Sequence, residues 1–137
     1  SSDLFKAFNT PDLQKLIGEN VHLPGYIPDE KLQTMYQNAL LSVYPSLYEG
    51  FGLPPLESMT YGCPVINSDI PALREVSQDA ALYVDPYNVE DITQKIEQLL
   101  VDEPLRKELQ EKGLLQIKKY SWNKSAKQVY ELAQLFM

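Results

Sequence analysis

The chain has 137 residues and a mass of 15.6 kDa, with 44% hydrophobic and 23% charged residues, enough to bury the core of one globular domain. Its formal net charge of −7 at pH 7 argues against a general nucleic-acid binder, and a single cysteine, Cys63, with a single histidine, His22, leaves neither an internal disulfide nor a zinc cluster of the usual spacing. No apolar run approaches the roughly 18 residues of a membrane span, and Ser1-Ser2-Asp3 lacks the basic-then-apolar pattern of a signal peptide, so a cytoplasmic setting is expected.

In chain order, Thr10-Pro11-Asp12 before "LQKLIG" predicts a short helix that stops at Gly18. Val21 to Leu23 is expected as a short apolar strand ending in a Pro-Gly turn, with His22 inside it as a structural residue. Asp29 to Asn38 reads as a second helix. Leu40 to Tyr44, apolar but for Ser42, is suited to a strand covered on both faces. Leu53 to Tyr61 reads as a helix, "CPVINSD" as a buried parallel strand, Ile70 to Val76 as a single helical turn, and residues 80–84 as the next strand. Asn88 is placed to cap a helix with Ile92, Ile96, Leu99 and Leu100 on one face. Asp102 caps a second helix, with Pro104 in its first turn, running to about Lys118. Ser121 caps a third, carrying Ala126, Val129, Tyr130, Leu132 and Leu135, with Trp122 as a core or interdomain anchor. Cys63 is expected as a small buried hydrophobe.

Short buried strands alternating with helices imply βαβ units, hence an α/β fold with a parallel sheet and right-handed crossovers. Ligands of such sheets sit at the carboxyl ends of the strands. The loop after Leu40–Tyr44 lies there, and it carries "YEGFGLPPLE", residues 48–57. Gly50 and Gly52 can adopt positive φ and allow close approach to the main chain. Pro54 and Pro55 have no N–H, so the donors free at the start of the helix are Phe51, Gly52 and Leu53, where a phosphate fits. Glu49 and Glu57 flank these amides. Beside a bound diphosphate they suit a ligand that also offers diols: Glu57 a ribose, and Glu49 the hydroxyls or the growing positive charge of a sugar. Spacing alone leaves open an ordinary strand-turn-helix junction with two solvated glutamates.

Charge is unevenly spread. Arg74 is the only basic residue from Ala39 to Glu90, and Asp69 and Glu75 offer it partners. Residues 102–127 instead carry Arg106, Lys107, Lys112, Lys118, Lys119, Lys124 and Lys127. These read as solvated helix faces, with a weak attraction to anionic lipid, and so a peripheral contact at the inner membrane face, as the sharper alternative.

"PSLYEGFGLPPLESMTYGCPVI", followed by "PALREV" and "DAALYVDP", resembles the carboxyl-terminal, nucleotide-sugar donor domain of retaining glycosyltransferases of the GT-B fold, specifically family 4. The resemblance covers about residues 20–137 and includes the E-x7-E signature of Glu49 and Glu57. It implies a Rossmann-like parallel sheet flanked by helices. It also implies that Glu49 lies by the donor sugar and supports the reacting centre, and that Glu57 binds the ribose. The loop of Gly50, Phe51, Gly52 and Leu53 would contact sugar and diphosphate, and Tyr26 and Ile27 would lie against the base. The implied activity is transfer of a hexose, mannose or glucose, from a nucleotide-diphosphate sugar to a glycan or glycolipid acceptor in polysaccharide assembly, with retained anomeric configuration, no cofactor and no bound metal. A non-catalytic nucleotide-binding or interaction module of the same fold is the alternative.

Nothing in the chain matches the family's opening glycine-bearing strand and its phosphate-gripping Arg and Lys. Residues 1–19 therefore read as a partial helical segment ahead of a donor-binding domain at 20–137 that lacks its first βα units. The acceptor would be held by an amino-terminal domain absent here, toward which the family's final helix often crosses back, so an exposed apolar face on Val129 to Phe136 is expected; this piece alone would be inactive, and an unpaired sheet edge would favour a dimer.

Overall fold

A computed structural model describes residues 20–136, so the helix expected after Thr10 lies outside the described residues. The chain divides into two units, Ser1–Lys31 and Leu32–Met137. In the first, Val21 to Leu23 forms no strand: Val21 and Leu23 are 41% and 51% exposed, and His22 is exposed rather than enclosed. Three residues ending at a proline, two of them apolar, cannot hold an extended form without a ladder partner, and none pairs with them among the described residues. The Pro-Gly turn itself forms, with Gly25 at φ 68°. Helix α1 (Asp29–Asn38) has the bounds expected from the sequence, with Asp29 and Glu30 in its first turn, where carboxylates face the positive end of the helix dipole.

The second unit is built on a parallel sheet of β1 (Ser42–Tyr44), β2 (Val65–Ser68) and β3 (Ala81–Val84), in that order, with Val43 opposite Ile66 and Ile66 opposite Leu82. Helix α2 (Leu53–Thr60) joins β1 to β2, and α3 (Pro71–Ser77) joins β2 to β3. Then come α4 (Val89–Val101), α5 (Glu103–Gln116), a 3-10 turn (Ile117–Lys119) and α6 (Trp122–Gln134). Only the central strand β2 is buried along its whole length. The run at residues 40–44 is shorter than expected as a strand and half-buried, with Leu40 57% exposed, because β1 pairs on one side only among the described residues. The segment at 70–76 makes two helical turns where one was expected; Pro71 at its start presets φ for a helix, and the buried Leu73 and Val76 anchor it.

Strand alternation sends neighbouring residues of β2 into two cores. Val65 packs with Leu56, Met59 and Val76 on one face, and Ile66 with Val84, Leu99 and Leu109 on the other. Burying each of Met59, Ile66, Leu73 and Leu99 contributes about 1.5–3 kcal/mol by transfer. Cys63 is buried, as its small apolar character suggested. The Asn88 side chain accepts from the amides of Glu90 and Asp91, and Asp102 accepts from Leu105, so both caps form. Ser121 occupies the cap position of α6 without a side-chain bond. Leu100 is 48% exposed, turned about 100° away from the buried Leu99 by the helical repeat. Among the described residues no helix is long and apolar enough to cross a membrane.

Candidate functional site

The corner between β1 and α2 starts from a fixed point. The carbonyl of Tyr44 accepts the Ser68 hydroxyl at 3.2 Å, and its phenol pairs with that of Tyr36 at 3.1 Å. Burial pushes the Tyr44 phenol above its ordinary range, and the bond to Tyr36 pushes it further the same way. A second anchor joins β1 to α2 directly, Ser42 Oγ to Ser58 Oγ at 2.6 Å. The loop between is thus held at its root and at the helix that follows.

Within the loop, Ser46 Oγ donates to Glu49 Oε1 at 2.7 Å, and Glu49 is half-buried. The two glycines differ. A Cβ on Gly50 would meet nothing within 4 Å, and Gly50 is not among the residues of positive φ, so the freedom expected of it is not used. Gly52 is buried at φ 100° and ψ 46°, and a Cβ there would stand 2.7 Å from Leu73 Cδ2. This left-handed residue is the N-cap of α2, with no side-chain capping bond and with prolines in the first turn. The amides of Phe51, Gly52 and Leu53 donate to no protein group among the described residues. They therefore stand at the positive end of the α2 dipole with hydrogens to offer, which is the arrangement that receives an anion.

Glu57 lies one turn along α2 from Leu53, on the same side, exposed, and without a hydrogen bond or ion pair to any described residue. The structure thus brings Glu49, Gly50, Phe51, Gly52, Leu53 and Glu57 to one corner at the carboxyl edge of the sheet. Tyr26 and Ile27 belong to the other unit, Tyr26 83% exposed and Ile27 half-buried. Arg74 is engaged elsewhere. It forks onto both oxygens of Asp69 at 2.6 and 2.7 Å and stacks 3.8 Å over the Tyr83 ring, and these bonds hold the Asp69 carboxyl below its ordinary range.

An apolar cleft of about 450 Å³ opens beside the loop, lined by Phe51, Leu53, Leu56, Ile117, Tyr120 and Trp122. Phe51 meets Tyr120 edge-on, with centroids 5.9 Å apart. Trp122, expected as a core or interdomain anchor, is not a core residue: it is 82% exposed at the rim of this cleft, because α6 lays no residue into a core among the described residues. Sequence reasoning missed Ser46 and Leu73. The Ser46-x-x-Glu49 spacing was a signal for the first, since a serine three residues from a carboxylate readily bonds within a turn; nothing local announces the second.

The chain matches the family described as glycosyl transferases group 1 over residues 3–134. It is 44% identical over 111 residues to the O-antigen chain mannosyltransferase B of Escherichia coli, covering 81% of this chain and 29% of that protein. Its backbone matches sucrose-phosphate synthase from Thermosynechococcus elongatus with a TM-score of 0.79 at 29% identity, over 98% of this chain and 33% of that one. It also matches the C-terminal domain of the glycosyl transferase group 1 family protein LpcC from Francisella tularensis with a TM-score of 0.64 at 26% identity, over 86% of this chain and 60% of that one. The chain thus spans less than a third of the length of the mannosyltransferase it resembles, and its parallel sheet flanked by helices is that of the carboxyl-terminal half of a GT-B fold. By a family match that runs nearly end to end, the chain belongs to the glycosyl transferases group 1.

Proposed function

We propose that this chain is the donor-binding portion of a retaining glycosyltransferase of family 4, which moves a hexose from a nucleotide-diphosphate sugar to a glycan or glycolipid acceptor. The observation that carries the reading is the strand-to-helix corner, where three neighbouring amides without partners among the described residues are bracketed by two carboxylates. The amides of Phe51, Gly52 and Leu53 bind the diphosphate. They stabilise the negative charge that develops as it leaves, together with the α2 dipole, which contributes about 0.3–1 kcal/mol toward an anion at its end. Glu57 accepts hydrogen bonds from the ribose diol, and that pairing removes the repulsion its charge would otherwise feel from the phosphates. Glu49 faces the sugar, accepts from its hydroxyls and steadies the positive charge that grows at the anomeric carbon. Gly50 leaves open space on the sugar side of the loop.

Mannose is the hexose this reading favours, because the relative 44% identical to the chain is named as a mannosyltransferase. The reading assigns Tyr26 and Ile27 to the base, gives the acceptor to another part of the protein, and uses no metal. Nothing observed favours the non-catalytic alternative.

The test is a titration of GDP-, UDP- and ADP-linked hexoses against the full-length protein and its Glu57→Ala variant. Loss of hydrogen bonds to a charged group costs about 1.5–3 kcal/mol, so the variant binds the preferred donor about ten- to a hundredfold more weakly. Equal affinity in the two proteins removes the ribose assignment.

A further inference from the structure

We infer that Ser46 is a positioning residue for Glu49: its hydroxyl holds one carboxylate oxygen so that the other is presented to the donor sugar. This rests on the proposed role of Glu49 and adds a residue to it.

Three observations converge. First, the bond is short and specific, Ser46 Oγ to Glu49 Oε1 at 2.7 Å, and both residues are half-buried, so water competes with it less than at an open surface. Second, Glu49 has no other partner among the described residues. The single cation between Ala39 and Glu90, Arg74, is committed to both oxygens of Asp69, and no ion pair among the described residues reaches the Glu49 carboxylate. Third, Ser46 is tied to rigid structure. It stands two residues after Tyr44, whose carbonyl is held by Ser68 and whose phenol is held by Tyr36, and Pro45 fixes φ between them. The hydroxyl therefore transmits the position of the sheet to a glutamate on an otherwise glycine-rich loop.

A carboxylate with one oxygen occupied by a hydroxyl donor still offers lone pairs on the other. Its own torsions remain free without that bond, and a misplacement of about 1 Å near a reacting centre can cost a hundredfold in rate. The diphosphate site does not depend on Ser46, because its donors are the amides at the start of α2, which is anchored separately through Ser42 and Ser58.

The experiment compares sugar transfer and nucleoside-diphosphate affinity in the full-length protein, Ser46→Ala and Ser46→Thr. Expected are a fall in kcat of about ten- to a hundredfold in Ser46→Ala, an unchanged Kd for the nucleoside diphosphate, and recovery of turnover in Ser46→Thr, which keeps the hydroxyl. Turnover at the parent level in Ser46→Ala overturns the inference. So does a parallel loss of nucleotide affinity, which makes the bond a mere prop for the loop. A parent protein that neither binds a nucleoside diphosphate nor transfers a sugar overturns this inference and the proposed function together.

Discussion

Gly52 and Gly50 sit two residues apart and ask different things of the chain. At Gly52 both the backbone and its surroundings demand glycine, since φ is 100° and Leu73 Cδ2 lies 2.7 Å from where a Cβ would stand. Gly52→Ala is therefore expected to lose about 1–2 kcal/mol from the left-handed backbone alone, and more because Leu73 is fully buried and has little room to retreat. Urea unfolding reads this as a lowered midpoint at constant slope; a variant as stable as the parent means that the loop can adopt another path. At this scale the sequence showed which residue types met at the corner, because two glutamates, two glycines and two prolines in ten positions restrict what a backbone can do. It did not show which glycine takes positive φ, nor that Ser46 holds Glu49. The first depends on what packs beneath the loop, and Leu73 is 21 positions away in the chain; the second had a local signal in the Ser46-x-x-Glu49 spacing that went unread.

At the scale of elements, β2 was legible from the apolar pair Val65-Ile66 between Cys63-Pro64 and a polar turn, and Val65–Ser68 is buried at every position, with Asn67 and Ser68 bonded to Ser77 and Tyr44. The same logic misled at β1. Its segment, Leu40 to Tyr44, is apolar but for Ser42, yet burial of both faces also needs neighbours on both sides, which no short window of sequence reveals. Helix bounds set by capping chemistry came out well at Asn88 and Asp102, where the bond is local. The packing of α5 was not legible. Gly113 looks like a weak point in a helix, yet a Cβ there would stand 3.1 Å from Met59 Cγ and 3.3 Å from Met59 Cβ, so its absence lets α5 lie close against α2. Gly113→Val should force these helices apart and cost about 1–3 kcal/mol, measured as a drop in thermal midpoint. If the midpoint holds or rises, the gain in helix propensity outweighs the contact and the helices have room to separate.

For the molecule as a whole, the alternation of strand and helix foretold the architecture, because parallel strands need crossovers and helices supply them. For the last helix, the family resemblance implied an exposed apolar face on Val129 to Phe136, whereas its spacing alone implied a buried one. Its apolar residues have the spacing of a buried face, yet Val129, Tyr130, Leu132 and Leu135 are 57–79% exposed, and periodicity reports that a face is apolar without naming what covers it. The function proposed for this member of the glycosyl transferases group 1 rests on what one corner of the sheet does with its main chain, and that can be watched directly. In amide-resolved NMR of the full-length protein titrated with GDP and with UDP, the resonances of Phe51, Gly52 and Leu53 should shift together and saturate at one affinity. A nucleotide that binds while these three amides stay where they were would contradict the account.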